Sequence, residues 1–298
     1  MIEIKSINAN KHPMSSILIL NDNRIAYSSN EKYAIKILNP NKNYQCDASL
    51  TGHSNFVNSI TQLNDNNIAS CSNDHSIKIW SITSYKCLYT ISNGHRSYVL
   101  KVISLPLNRI ATCAGSSEIK IWNTKPPYSD TPIKVLNGVC RWVTALLYIH
   151  NKDSVISGSR DDIVCIWDMK TYQCVSVIEG GNHCWCYEIY MINEKRVIVG
   201  YNNLITIINV NDCKVENEFY DEDIEYIQSF VKIDNKILCG GKEGKLIVIN
   251  KDSNRFKILK TTHKNVIDAL LILKENMLIS GSWDESIKIW SINELYLN

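Results

Sequence analysis

Ser76–Ser81 reads SIKIWS, and Ser286–Ser291 reads SIKIWS again, 210 positions later. Six identical residues that far apart point to a duplicated unit. Between the copies stand EIKIWN (Glu118–Asn123), IVCIWD (Ile163–Asp168), LITIIN (Leu204–Asn209) and KLIVIN (Lys245–Asn250), and before the first stands AIKILN (Ala34–Asn39). The fifth residues are Leu38, Trp80, Trp122, Trp167, Ile208, Ile249 and Trp290, in steps of 42, 42, 45, 41, 41 and 41. The two copies are therefore five repeats apart in a set of seven. A period of this size closing on an aromatic predicts one β-propeller blade per repeat.

Repeat two carries the detail. Val57–Leu63 reads as a strand, Asn64-Asp65-Asn66 as a turn, and Ile68–Ser72 as a second strand. After Asn73-Asp74-His75 comes a third strand, Ile77–Trp80, and after Thr83-Ser84-Tyr85 a fourth, Cys87–Ile91. Four short strands with tight turns make one blade. Only eight residues follow Trp290, too few for a turn and a last strand. Ile7-Asn8-Ala9-Asn10 aligns with Leu50-Thr51-Gly52-His53, so Ile2–Ile7 occupies a fourth-strand position. It is expected to complete the last blade beside Ile287–Trp290, closing the ring and removing its exposed edges. Residues 1–298 read as one all-β domain of seven blades. The stretch Lys125-Pro126-Pro127-Tyr128 accounts for the longer third repeat.

Composition narrows the function classes. With 32 Lys+Arg against 30 Asp+Glu, the net charge is +2, which argues against nucleic acid or an anionic membrane as partner. No apolar run is long enough to span a bilayer, and the first residues resemble neither a signal nor a transit peptide. The 11 cysteines form no even framework, and there is no Asn-x-Ser/Thr acceptor. These features predict a reducing compartment, cytoplasm or nucleus, rather than secretion.

The pattern resembles WD40 repeats: Gly-His, then a turn Asp, then Trp six residues later. Repeat two has Gly52-His53, Asp74 and Trp80. Repeat seven has His263, Asp284 and Trp290, with Thr262 in place of Gly. Repeat three keeps Gly94-His95 and Trp122 but has Ser116 for Asp; repeat four keeps Asp161 and Trp167-Asp168 but has Val139 for His. Repeats one, five and six are degenerate. The resemblance implies a hydrogen-bonded chain of His, a strand hydroxyl, Asp and the indole, satisfying the polar tip of a buried Trp. The hydroxyl is expected from Ser70 and Ser280, with Ser72 and Ser282 as alternatives. Because these sets recur by repeat, they read as structural rather than as hydrolase triads.

No constellation points to an enzyme. There is no phosphate loop, dinucleotide fingerprint or nucleophile elbow. His183-Cys184-Trp185-Cys186 lacks the second ligand pair a zinc site needs. Cys71, Cys113 and Cys239 share a repeat position with Gly158, Gly200 and Gly281, a small-residue core slot. Cys87 and Cys174 open fourth strands. His12, His75, His150 and His183 fall in turns. Neither metal, cofactor nor small-molecule substrate is expected.

In the family the resemblance suggests, partners often bind the face where the first strand begins. Before the apolar start of that strand stand Phe56, Tyr98, Trp142, Trp185, Tyr226 and Val266. After it stand Asn58, Leu100, Thr144, Tyr187, Gln228 and Asp268. Before the turn Asp, or its equivalent, stand Asn73, Gly115, Arg160, Asn202, Lys242 and Trp283. Aromatics should ring the channel mouth, with Arg160 and Lys242 positioned to meet an acidic or phosphorylated segment. Asp221-Glu222-Asp223 should lie on the same face.

The expected function is a non-catalytic scaffold presenting this face to a peptide or protein loop. The alternatives are an architectural subunit using blade edges, for example at Tyr89 or Ser176, and an RNA-binding propeller. A third, docking to a ubiquitin-ligase adaptor, is suggested by Trp167-Asp168-Met169-Lys170, although Lys lacks the planar fork of Arg.

Overall fold

A computed structural model describes residues 1–8, 15–64, 66–92, 94–138, 141–180, 185–250, 255–274 and 276–292. His12, Val139, His183 and Cys184 lie outside the described residues. The chain folds as seven four-stranded antiparallel sheets arranged in a ring. Blade 1 starts at Ile17–Ile19 and blade 2 consists of Val57–Gln62, Asn67–Ser72, Ile77–Ser81 and Cys87–Ile91. The innermost strands of blades 3 to 6 are Val99–Leu105, Val143–Ile149, Glu188–Asn193 and Ser229–Ile233. Blade 7 takes Ile267–Lys274, Met277–Ser282 and Ser286–Ser291 from the end of the chain, and Ile2–Asn8 from its start. The register runs from Ile2 opposite Ser291 to Asn8 opposite Ser286, so closure by the first strand is as expected.

The repeat exists because each blade must cover its neighbour. Strands alternate, sending one set of apolar side chains to each face of a sheet. Seven hydrophobic clusters result, each shared by two consecutive blades. Trp80 of blade 2 packs with Leu20, Ile35 and Leu50 of blade 1. Trp122 packs on blade 2, Trp167 on blade 3 and Trp290 on blade 6. Ile208, Ile249 and Leu38 fill the same role toward blades 4, 5 and 7. Any large apolar residue can fill this slot, which is why three blades dispense with Trp. Cys71, Cys113 and Cys239 are fully buried.

The extended turn of blade 3 covers an edge. Tyr128 stacks on Tyr89 at 4.6 Å, and the Tyr89 hydroxyl donates to Asp130 at 2.8 Å. Tyr89 is therefore not the open edge position expected from sequence; a neighbouring segment occupies it.

Candidate interaction face

The hydrogen-bonded sets fix the turns from which the face is built. In blade 2, the Trp80 Nε1–H donates to Ser70 Oγ at 2.8 Å. Ser70 lies 2.7 Å from His53 Nε2, and His53 Nδ1 lies 2.7 Å from Asp74 Oδ2. With Ser70 already accepting from the indole, its hydroxyl donates to Nε2, so the proton of a neutral His53 sits on Nδ1 and faces Asp74. Burial lowers the His53 pKa, with Asp74 opposing. Burial would raise the Asp74 carboxyl, but hydrogen bonds from His53 and Ser76 prevail and hold it well below the usual range. Blade 7 repeats the arrangement. His263 lies 2.6 Å from Ser280 and 2.9 Å from Asp284, and the Trp290 indole donates to Ser280 at 2.7 Å. Ser72 does different work: its hydroxyl accepts from the Asp74 N–H.

Blades 3 and 4 hold parts of the chain. His95 Nε2 and the Trp122 indole both meet Thr112 Oγ1 at 2.8 Å, making Thr112 the hydroxyl member. Among the described residues, His95 Nδ1 has no partner, since Ser116 stands where blade 2 has Asp. Burial pushes the His95 pKa down to about 3, with Lys120 adding to the effect. In blade 4 the Trp167 indole donates to Ser157 at 2.9 Å, and Asp161 accepts the Arg141 N–H at 2.9 Å.

The candidate face is the set of loops entering the inner strands together with the turns after the second strands. Backbone bonds join the two. The N–H groups of Asn73, Gly115, Arg160 and Trp283 donate to the carbonyls of Phe56, Tyr98, Trp142 and Val266. In blade 6 the Lys242 N–H reaches Glu225 instead of Tyr226. Entering aromatics also touch the turn of the preceding blade. Phe56 meets Tyr33 edge-on at 5.4 Å, and Tyr98 meets His75 at 5.7 Å. Four of the aromatics remain open to solvent: Phe56 at 37%, Tyr98 at 50%, Trp142 at 45% and Trp185 at 47% exposure.

Arg160 lies over two of them. Its guanidinium sits 4.4 Å from the Trp142 ring and 4.4 Å from the Trp185 ring. Farther along, Tyr187 meets Tyr226 at 5.7 Å and Tyr226 meets Trp283 at 6.5 Å.

Several positions differ from the sequence expectation. Lys242 is paired with Glu225, so it is not an unengaged cation. Val266 is buried at 2% exposure, because blade 7 has an aliphatic residue in the slot and draws it into the core. Trp283 is half-buried, and its indole donates to Asp268 Oδ2 at 2.8 Å. Asn58 and Thr144 brace adjacent blades, bonding the carbonyls of Val99 at 2.7 Å and Cys186 at 2.6 Å. Asp223 of the acidic run pairs with Lys245 at 2.8 Å.

Sequence reading missed two features. A cavity of about 220 Å³ on the axis is lined by Lys101, Glu188, Gln228 and Asp268 among others. Burial pushes the Asp268 carboxyl well up, against the pull of the Trp283 hydrogen bond. Among the described residues, no group of three or more His, Cys, Asp or Glu could hold a metal, and no helix is long and apolar enough to cross a membrane.

The ring of seven four-stranded blades, with the recurrent hydrogen-bonded Trp, defines a WD40-type propeller. Residues 44–81, 130–168 and 256–291 match the family described as "WD domain, G-beta repeat". The chain thus carries WD40 repeats within a seven-bladed propeller, a fold that is typically a protein-interaction scaffold and generally non-catalytic. It is similar to "Zinc finger CCCH domain-containing protein 59" of Arabidopsis thaliana, 24% identical over 55% of this chain and 34% of that protein. A 45-residue stretch, 14% of this chain, is 49% identical to "Ribosome biogenesis protein YTM1" of Debaryomyces hansenii, covering 10% of that protein. A third similarity, 26% over 39% of this chain, is to "WD repeat-containing protein 89 homolog" of Dictyostelium discoideum, covering 32% of it. In each case the match spans about a third of the relative or less.

Proposed function

We propose that residues 1–298 act as a protein-interaction domain that presents the aromatic face to a peptide or protein loop of another protein. One contrast carries this reading. Of the seven Trp residues, Trp80, Trp122, Trp167 and Trp290 are at most 2% exposed, whereas Trp142 and Trp185 on this face are 45% and 47% exposed. Exposed aromatics beside an arginine match the chemistry of interface anchors: large, rigid area with a polar handle. Two further positions support it. Trp142 and Tyr226 are held at φ 47° and 54°, a left-handed conformation that costs a bulky residue on the order of 1 kcal/mol or more and that clusters at functional sites. The proposed setting is a reducing compartment, cytoplasm or nucleus, in keeping with exposed free thiols at Cys46, Cys87 and Cys174.

A second reading, assembly through blade edges, has its own observation. Val175 and Val177 on the outer strand of blade 4 are 60% and 42% exposed, and Ile2 and Ile4 on that of blade 7 are both 55% exposed. Edge strands carrying apolar side chains are natural pairing surfaces.

Affinity capture from the native lysate separates the two. Trp142→Ala/Trp185→Ala/Tyr226→Ala should lose partners that the wild type and Val175→Ser/Val177→Ser retain. The opposite pattern would move the function to the edges.

A further inference from the structure

Among the described residues, Arg160 is a cation without a counter-ion: no carboxylate pairs with it and no acceptor takes a hydrogen bond from its guanidinium. Its pKa is lowered by burial, with Tyr187 opposing, as expected for a charge partly removed from water. The guanidinium stands over two indole rings, Trp142 and Trp185, at 4.4 Å from each centroid. Cation–π attraction holds the group in place but satisfies none of its N–H donors. Among the described residues those N–H donors have no acceptor.

We propose that Arg160, held against Trp142 and Trp185, is the subsite that receives the carboxylate of an acidic side chain in the bound partner segment. The inference rests on the aromatic face being the binding face. A carboxylate is planar, so it meets the guanidinium edge with two parallel N–H···O bonds while the cation stays on the indoles. One negative charge balances one positive charge. Lys242 and Lys245, cations of blade 6 on the same face, are already engaged by Glu225 and Asp223. A phosphate also takes two N–H···O bonds from such a fork, so charge balance, one negative against one positive, is what favours the carboxylate. Because the arrangement is preassembled, little side-chain freedom is lost on binding.

The probes are blocked amino acids, N-acetylated and N-methylamidated: glutamate, glutamine and phosphoserine. Each is titrated into the isotope-labelled full chain while the indole N–H resonances of Trp142 and Trp185 are followed. Blocked glutamate should shift both resonances saturably, and blocked glutamine should not. Arg160→Gln should abolish the response while the buried indoles of Trp80 and Trp290 stay in place, reporting an intact fold. Arg160→Lys keeps the charge without the fork and should weaken binding severalfold. Equal shifts with glutamine, persistence in Arg160→Gln, tighter binding of phosphoserine, or no saturable shift would each overturn the assignment. The outcome is separable from the broader reading. If blocked glutamate fails but the triple aromatic variant still loses its partner, the face stands and the carboxylate subsite does not.

Discussion

Lys101 and Glu188, 87 residues apart on the inner strands of blades 3 and 5, form an ion pair across the central cavity. The contact skips blade 4, so it exists only once the ring has closed. The two side chains are 24% and 19% exposed, intermediate between surface and core. Burial would lower the Lys101 pKa, but Glu188 outweighs it and the net direction is up. Glu188→Ala should therefore destabilise the fold by about 1–3 kcal/mol, between the values for exposed and buried pairs. Lys101→Met/Glu188→Leu should recover most of the loss, because no lone charge remains. Urea midpoints of the wild type, Lys101→Met, Glu188→Leu and the Lys101→Met/Glu188→Leu double variant form the cycle that measures the coupling; additive losses would show that the residues are not coupled.

Blade 3 offers a gain of stability. His95 occupies the place of His53 but lacks the carboxylate, and its Nδ1 has no partner among the described residues. Ser116 is 21 residues after His95, as Asp74 is after His53. Ser116→Asp should supply the missing acceptor and stabilise the protein by about 1 kcal/mol. A lowered urea midpoint would mean that blade 3 has adapted to the gap.

His95 also sets a pH dependence. Its folded pKa of about 3 lies below the ordinary 6.5, so between these values the unfolded chain binds the extra proton. Its contribution to stability is thus fully present above about pH 6.5 and falls as the pH drops toward 3, by at most about 1.4 kcal/mol per pH unit. His95→Gln should flatten the acid limb of a stability–pH curve. An unchanged limb would assign the acid loss to other groups.

Ring closure is tested by removing residues 1–8. Blade 7 would lose its outer strand and the Glu3–Lys288 contact of 3.1 Å, exposing the edge of Ser286–Ser291. Because neighbouring blades share each hydrophobic cluster, the whole transition should move to lower temperature as one step. An unshifted melting temperature would show that closure by this strand contributes nothing.

The elements readable from sequence were those imposed by packing every blade on the next. One large apolar residue per interface produced the period, and Leu38, Ile208 and Ile249 kept the register without Trp. The missing fourth strand was readable because a blade cannot leave an edge open. Ser70 and Ser72 were harder to separate, since side chains two apart on a strand share a face; distance to the indole decides for Ser70. Contacts that depend on the neighbouring loop were not readable at all. Arg160 and Lys242 occupy equivalent positions, yet one lies over two indoles and the other is neutralised by Glu225. The same holds for Trp283, tied to Asp268, and for Tyr89, covered by Tyr128.

The most direct test of the central claim is calorimetric titration of a captured partner, or of its minimal binding segment. Three folded proteins are compared: wild type, Trp142→Ala/Trp185→Ala/Tyr226→Ala and Val175→Ser/Val177→Ser. The aromatic-face account predicts that the triple variant weakens Kd by more than about tenfold, the loss typical of interface anchors, and that the edge variant matches the wild type. An unchanged Kd for the triple variant, with binding lost in the edge variant, would contradict it.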